Sequence, residues 1–220
     1  IWTIPDIRNR VLFVFAMLVV FRLAAHIPVP GVNTEGLRQF LAGNQILGLL
    51  NIFSGGTIAN FSIVMLGVAP YITASIIFQL LTLVVPYFEE LSKEGESGQQ
   101  KINMYTRIAA VPLGLLQAYG TIKLLHQSQF AIMGDLTTFK YISIMVTITA
   151  GSIFLMWIGE LITEKNVGNG ISLLIFSGIV ASLPSTIQTA IINYDSSQLY
   201  LYLLFAAISI ATIVGVVYVN

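Results

Sequence analysis

Long runs of apolar residues, each cut by a short polar stretch, set the rhythm of this chain. A helix that crosses the hydrocarbon core of a bilayer needs about 20 mostly apolar residues, so charged residues act as fence posts. The first run covers residues 11–27, follows Arg8 and Arg10, and holds Arg22 near its far end. That arginine either snorkels to the interface or faces a protein interior, because a lone charge against lipid is costly. Between Arg38 and Glu89 lie fifty residues without a formal charge. As one helix this stretch would run about 75 Å, far more than a bilayer. Asn51, Ser54-Gly55-Gly56 and Asn60 break it, leaving residues 61–85 as the second span. The apolar piece 46–53 is too short to cross and too apolar for water, so it is buried in protein, re-entrant or interfacial.

The pattern continues with spans at about 103–125, 141–159, 168–192 and 199–219. Pro112 and Gly114 fall inside the third, where membrane helices tolerate them. The expectation is an all-α polytopic membrane protein with six transmembrane helices and one short re-entrant element. The start of the chain has the outline of a secretory signal peptide, but further apolar runs and Pro28-Val29-Pro30-Gly31 follow, so a first membrane span fits better. Asn220 comes directly after an apolar run, which reads as a piece of a longer chain. Lys and Arg counts in the short flanking loops give six positions against four, favouring a cytoplasmic N-terminus.

Composition narrows the chemistry. Charged residues make up 9% of the chain, where a soluble domain carries about 25%. Ten basic and ten acidic residues cancel, which argues against a nucleic-acid surface. Cysteine is absent and the two histidines, His26 and His126, lie far apart, so no metal or cofactor site is expected. The three aspartates, Asp6, Asp135 and Asp195, fall in expected loops, and Ser54 has no histidine at matching depth. Intramembrane hydrolysis therefore lacks its residues, and no enzyme is expected. Secondary transport would want an ionisable residue near a span midplane. The nearest is Glu160, expected to be solvated at an interface.

What remains is the placement of glycine and proline. Ser54-Gly55-Gly56 precedes the second span, Gly67 and Pro70 interrupt it, and Val167-Gly168-Asn169-Gly170 opens the fifth. Helix packing accounts for each alone, and a discontinuous helix beside a water-filled path accounts for them together. At Phe53-Ser54-Gly55-Gly56 and from Pro70-Tyr71-Ile72-Thr73 to Phe78-Gln79-Leu80-Leu81 the sequence resembles the SecY family, channel subunits of the general secretory pathway. The likeness continues at Ile27-Pro28-Val29-Pro30-Gly31, Lys93-Glu94-Gly95-Glu96-Ser97-Gly98, Phe154-Leu155-Met156-Trp157-Ile158-Gly159-Glu160, Ile162-Thr163-Glu164 and Gly168-Asn169-Gly170-Ile171-Ser172.

The resemblance implies ten helices in two inverted halves around a pore. This chain would hold the five-helix first half in 1–192 and the first helix of the second half in 193–220. It implies a passive conduit in the bacterial plasma membrane for secretory polypeptides, with hydrophobic segments such as signal sequences leaving sideways into lipid. SecE and SecG subunits would flank it, and the SecA motor or the ribosome would dock on the cytoplasmic face. By the same resemblance Val68, Ile72, Ile171 and Ile175 would form a pore ring, Val68 standing where the family usually has isoleucine. Each pair is spaced four apart and lies on one helix face, and an aliphatic ring gates by dewetting. Ile46, Leu49, Leu50, Ile52 and Phe53 would belong to a plug within 46–56, with Ser54, Gly55 and Gly56 as its hinge. Gln79 and Thr82 would mark a lateral gate, with interhelical hydrogen bonding as the rival explanation. Lys93 and Lys101, in an expected loop over 87–102, and Arg107 would meet the cytoplasmic partner, although Gln99-Gln100 stands where the family commonly has basic residues. A secondary transporter with broken helices is the alternative to a channel, and a membrane scaffold with no path at all is the blander option.

Overall fold

The computed structural model describes residues 5–44, 48, 51, 54–128, 132–133, 137–192 and 199–219. The described residues are helical apart from turns and two isolated β-bridges, Pro28 with Ser62 and Val32 with Met133. The chain falls into two compact units, Ile1–Ser182 and Leu183–Asn220.

Helix α1 spans Pro5–Ala25, six residues earlier than the first apolar run. Proline suits a helix start because its missing N–H has no partner there anyway. Asp6 in the first turn and Arg22 in the last complement the helix dipole. Val14, Phe21, Ala24 and Ala25 form the buried stripe, while Leu12, Phe15, Val19 and Leu23 remain exposed. Helix α2, Thr34–Ala42, was not legible as an apolar run. Asn33 caps it by accepting from the N–H groups of Glu35 and Gly36, at 3.0 and 3.2 Å, and Leu37 and Leu41 bury one face.

The second span differs most from expectation. Helix α3 runs Ala69–Val84 and so begins eight residues after Phe61. Before it the chain turns irregularly, with left-handed φ of +43° at Phe61 and +58° at Gly67. Backbone groups at such a place must find partners inside the protein. They do: Ile63 N–H donates to the Ile27 carbonyl at 3.0 Å, and the Phe61 carbonyl accepts from Val29 N–H at 2.9 Å. The Gly67 carbonyl accepts from the Ser152 hydroxyl at 2.6 Å. Pro70 then opens the helix.

The expected loop over 87–102 is instead largely helical. Pro86 forces Val85 into extended backbone and starts α4, Pro86–Lys93, at 99° to α3. Lys93 pairs with Glu89 one turn earlier at 2.5 Å, the spacing that supports a helix. That hydrogen bond holds the exposed Glu89 carboxyl below its ordinary pKa and the Lys93 ammonium above its own. Gly95, with φ +73°, makes the reversal into α5, Glu96–His126. Helix α6, Thr138–Glu164, begins at a Thr137 cap. Helix α7 runs Gly170–Ile192.

Around α6 the packing is close enough to require glycine. A Cβ on Gly151 would stand 1.9 Å from the Ile63 carbonyl oxygen, and one on Gly170 1.8 Å from that of Gly159. Along α5 the buried positions Gly98, Ile102, Thr106, Ala110, Gly114, Ala118 and Ile122 form a single stripe rich in small residues. Membrane helices associate through such surfaces. One apolar core joins α2, the 58–66 turns, α5 and α6 around Leu37, Phe61 and Ile148. A second joins α1, α6 and α7 around Phe21, Leu155 and Leu174.

In the second unit, helix α8 occupies Leu199–Val219 and exposes Leu204, Phe205, Ile208 and Val217. Six spans were expected. Among the described residues α5 and α6 are long and apolar enough to cross a membrane, and α3 with α4 would make a third as one bent span. Helices α7 and α8, 23 and 21 residues long, carry no charged residue, and α1 carries Arg8, Arg10 and Arg22. Large apolar side chains are nonetheless exposed along α1, α3, α5, α6, α7 and α8. In water such surfaces would associate; against lipid they are the stable ones.

Candidate functional site: two clefts that meet at an aliphatic boundary

The first turns of α3 and α7 face one another. Val68, the residue before α3, is buried in the core of Phe21, Leu155 and Leu174, and Ile72, Ile171 and Ile175 pack half-buried against it. Their spacing of four puts each pair on one side of its helix. The break before α3 and the turn before α7 bring the two sides together. That turn is built from Asn166, with φ +55°, and from two caps. Thr163 accepts from Gly170 N–H at 2.9 Å, and Asn169 accepts from Ser172 N–H at 3.0 Å.

A cleft lies on each side of this cluster. The larger, about 590 Å³, is lined by polar side chains, Tyr71, Gln79, Asn103, Arg107, Glu160 and Asn169 among them, together with Ile72, Ile76, Ile171 and Ile175. The smaller, about 350 Å³, is lined by apolar groups including Phe21, Met65, Val68 and Leu155, with Ser54 and Gly178 at its edge. Ile72 and Ile175 line both. The aliphatic boundary at which the polar cleft meets the apolar one therefore includes these two side chains.

The polar cleft holds an ion pair that the sequence did not announce. Arg107 on α5 bonds through Nε to the Glu160 carboxylate on α6. Glu160 was expected to be solvated, yet its side chain is 17% exposed. The turn of α6 that carries it packs against both α5 and α7, which removes it from water and leaves Arg107 as its counter-charge. Arg107, expected at the cytoplasmic partner surface, stands half exposed in the cleft. Lys93 and Lys101 are exposed, each paired with a carboxylate, Glu89 and Glu94, the latter at 3.1 Å.

Gln79 lines the polar cleft from an exposed position. The Thr82 hydroxyl donates to the Gln79 carbonyl at 2.7 Å, a bond within α3 rather than between helices. Interhelical bonding falls elsewhere on that helix, from Gln117 to the Thr73 hydroxyl at 3.3 Å. Ile46, Leu49, Leu50, Ile52 and Phe53 lie outside the described residues. The 54–56 segment is described and well tied. Ser54 Oγ and Gly56 N–H both donate to the Asn51 carbonyl at 2.9 Å. Among the described residues no group of three or more His, Asp or Glu could hold a metal ion.

Helices that turn large apolar side chains outward, two of them long and apolar enough to cross a membrane among the described residues, define a multi-pass membrane protein. The family model described as SecY matches residues 62–220, and the chain belongs to that family. A protein of Corynebacterium glutamicum described as protein translocase subunit SecY is 44% identical, over 98% of this chain and 51% of its own length. Proteins of the same description from Bacillus licheniformis and Pseudomonas aeruginosa are each 44% identical over 99% of this chain, covering 52% and 50% of their own lengths. The chain thus spans about half the length of the curated relatives it matches.

Proposed function

We propose that the chain is the N-terminal half of the central subunit of a protein-translocation channel, with Val68, Ile72, Ile171 and Ile175 as this half's share of the pore constriction. The observation that carries the reading is the position of Ile72 and Ile175, which line both the polar and the apolar cleft. A ring of aliphatic side chains between two wider spaces holds no water column at rest and yields to a passing chain. The polar cleft, lined in part by Glu164, is the cytoplasmic entry. The apolar one is the outer funnel that a plug formed by 46–53 would fill. Gln79 and Thr82 border the side through which hydrophobic segments leave for lipid. SecE and SecG subunits flank the channel in the bacterial plasma membrane, and SecA or the ribosome meets the exposed α4–α5 turn with Lys93 and Lys101.

Photocrosslinking of a stalled secretory polypeptide tests the reading in the complete gene product. A crosslinking residue at Ile72 or Ile175 captures the polypeptide, and one at Leu116, 69% exposed on α5, does not. Equal capture at all three positions, or none at the first two, contradicts it. A secondary transporter would also leave Ile72 and Ile175 unlabelled.

A further inference from the structure

Gly159 on α6 meets the start of α7 through backbone and side chain alike. Its carbonyl accepts from the Thr163 hydroxyl at 2.9 Å, and the Thr163 oxygen accepts from Gly170 N–H at 2.9 Å. The two backbones pass too closely for a side chain on Gly170. The other contact involves the next residue, Ile171. A Cβ on Gly159 would stand 2.5 Å from Cδ1 of Ile171, 3.3 Å from its Cγ1 and 3.4 Å from Cδ1 of Leu174. The end of Ile171 therefore occupies the space that a side chain at Gly159 would need. Ile171 packs half-buried against the core of Phe21, Leu155 and Leu174, and it also lines the polar cleft beside Ile72 and Ile175. The wall behind it is firm. Leu155, Ile158 and Ile162 on α6 are buried, and Glu160 is bound to Arg107 on α5. A close-packed wall passes strain on rather than absorbing it. A methyl added at Gly159 thus pushes the free end of Ile171, and the open side is the cleft.

We propose that Gly159 is a positioning residue for the constriction: it leaves a socket on α6 that draws the end of Ile171 back and so sets the width of the aliphatic boundary. The socket stands on geometry alone, and its consequence for passage rests on the channel reading. Adding a methyl at Gly159 narrows the boundary, and removing Cδ1 from Ile171 makes room again. A glycine needed only for close backbone approach has no such dependence on Ile171.

The test uses the complete gene product with its partner subunits in sealed vesicles. Import of a secretory polypeptide is timed with and without a bulky aromatic adduct on one introduced cysteine. Gly159→Ala slows the adduct-bearing polypeptide about tenfold more than the unmodified one, the order of one surplus methyl in a packed contact. Ile171→Val in that background restores the parent's ratio. Ile175→Val removes the same atom from another member of the boundary and does not restore it. Equal slowing of both polypeptides, no restoration by Ile171→Val, or equal restoration by Ile175→Val overturns the socket. Should Gly159→Ala not accumulate, its recovery becomes the readout. Ile171→Val then rescues accumulation, and rescue by Leu174→Val instead, or by neither, overturns the proposal. If even the parent imports no polypeptide the channel reading fails, and thermal unfolding still decides the socket. The midpoint loss caused by Gly159→Ala shrinks in an Ile171→Val background and stays the same in an Ile175→Val background. Equal losses in all backgrounds contradict the socket.

Discussion

Arg107 on α5 and Glu160 on α6 form an ion pair inside the polar cleft, with the carboxylate far less exposed than the guanidinium. The asymmetry decides what removal of either partner does. A carboxylate withdrawn from water needs its counter-charge more than an exposed arginine does. Arg107→Ala therefore destabilises more than Glu160→Ala, and the double variant less than the sum of the two. A double-mutant cycle on thermal unfolding of the purified complex should give a coupling of about 1–2 kcal/mol, reduced from the fully buried case because Arg107 is half solvated. Additive losses would place the pair in bulk solvent.

Glycines in this bundle should divide sharply by what surrounds them. Gly151→Ala sets a methyl 1.9 Å from the Ile63 carbonyl oxygen, so α6 must move away from the turns that precede α3. The expected loss is about 2–4 kcal/mol, in the range of severe overpacking. Gly120→Ala on α5 meets nothing within 4 Å. It should stabilise the protein by about 0.5–1 kcal/mol through helix propensity alone. Unfolding midpoints of the two variants against the parent check both signs in one experiment.

The first and the central helices were legible because charge fences them, as Lys101 and Lys123 do for α5 and Lys140 and Glu164 for α6. The late start of α3 was not. No charge falls in residues 61–68, and that segment is tied by bonds to Ile27, Val29 and Ser152, far away in sequence. Helix α4 was hidden because a charge run reads as solvated loop, and only the Glu89–Lys93 spacing could have shown it. The site was half visible. The four-residue spacing of Val68 with Ile72 and of Ile171 with Ile175 puts each pair on one face, but that the two faces meet depends on Gly159 and Gly170 letting α6 and α7 close together. Glu160 looked like an interface charge since its partner lies on another helix, 53 residues before it.

The Glu89–Lys93 pair gives α4 a defined pH window. Glu89 has a lowered pKa in the fold, so its contribution is present above the ordinary carboxylate range and is lost as pH falls through the lowered value. Lys93 has a raised pKa, so its contribution holds below the ordinary lysine range and is lost as pH rises through the raised value. A spin label at Ser92 should report constant mobility across the neutral range and greater mobility at both extremes. Glu89→Gln should raise mobility at neutral pH and abolish the acid step. An acid step that persists in that variant would assign it to another group.

The aliphatic boundary is the centre of the account, and ion conductance measures it most directly. The complete gene product, reconstituted with its partner subunits in planar bilayers, is compared with Val68→Asn/Ile72→Asn under resting conditions. Asparagine wets the boundary between the two clefts, so the variant should pass ions through long-lived open events while the parent stays closed. A variant as tight as the parent would mean that Val68 and Ile72 are packing residues and that the path runs elsewhere.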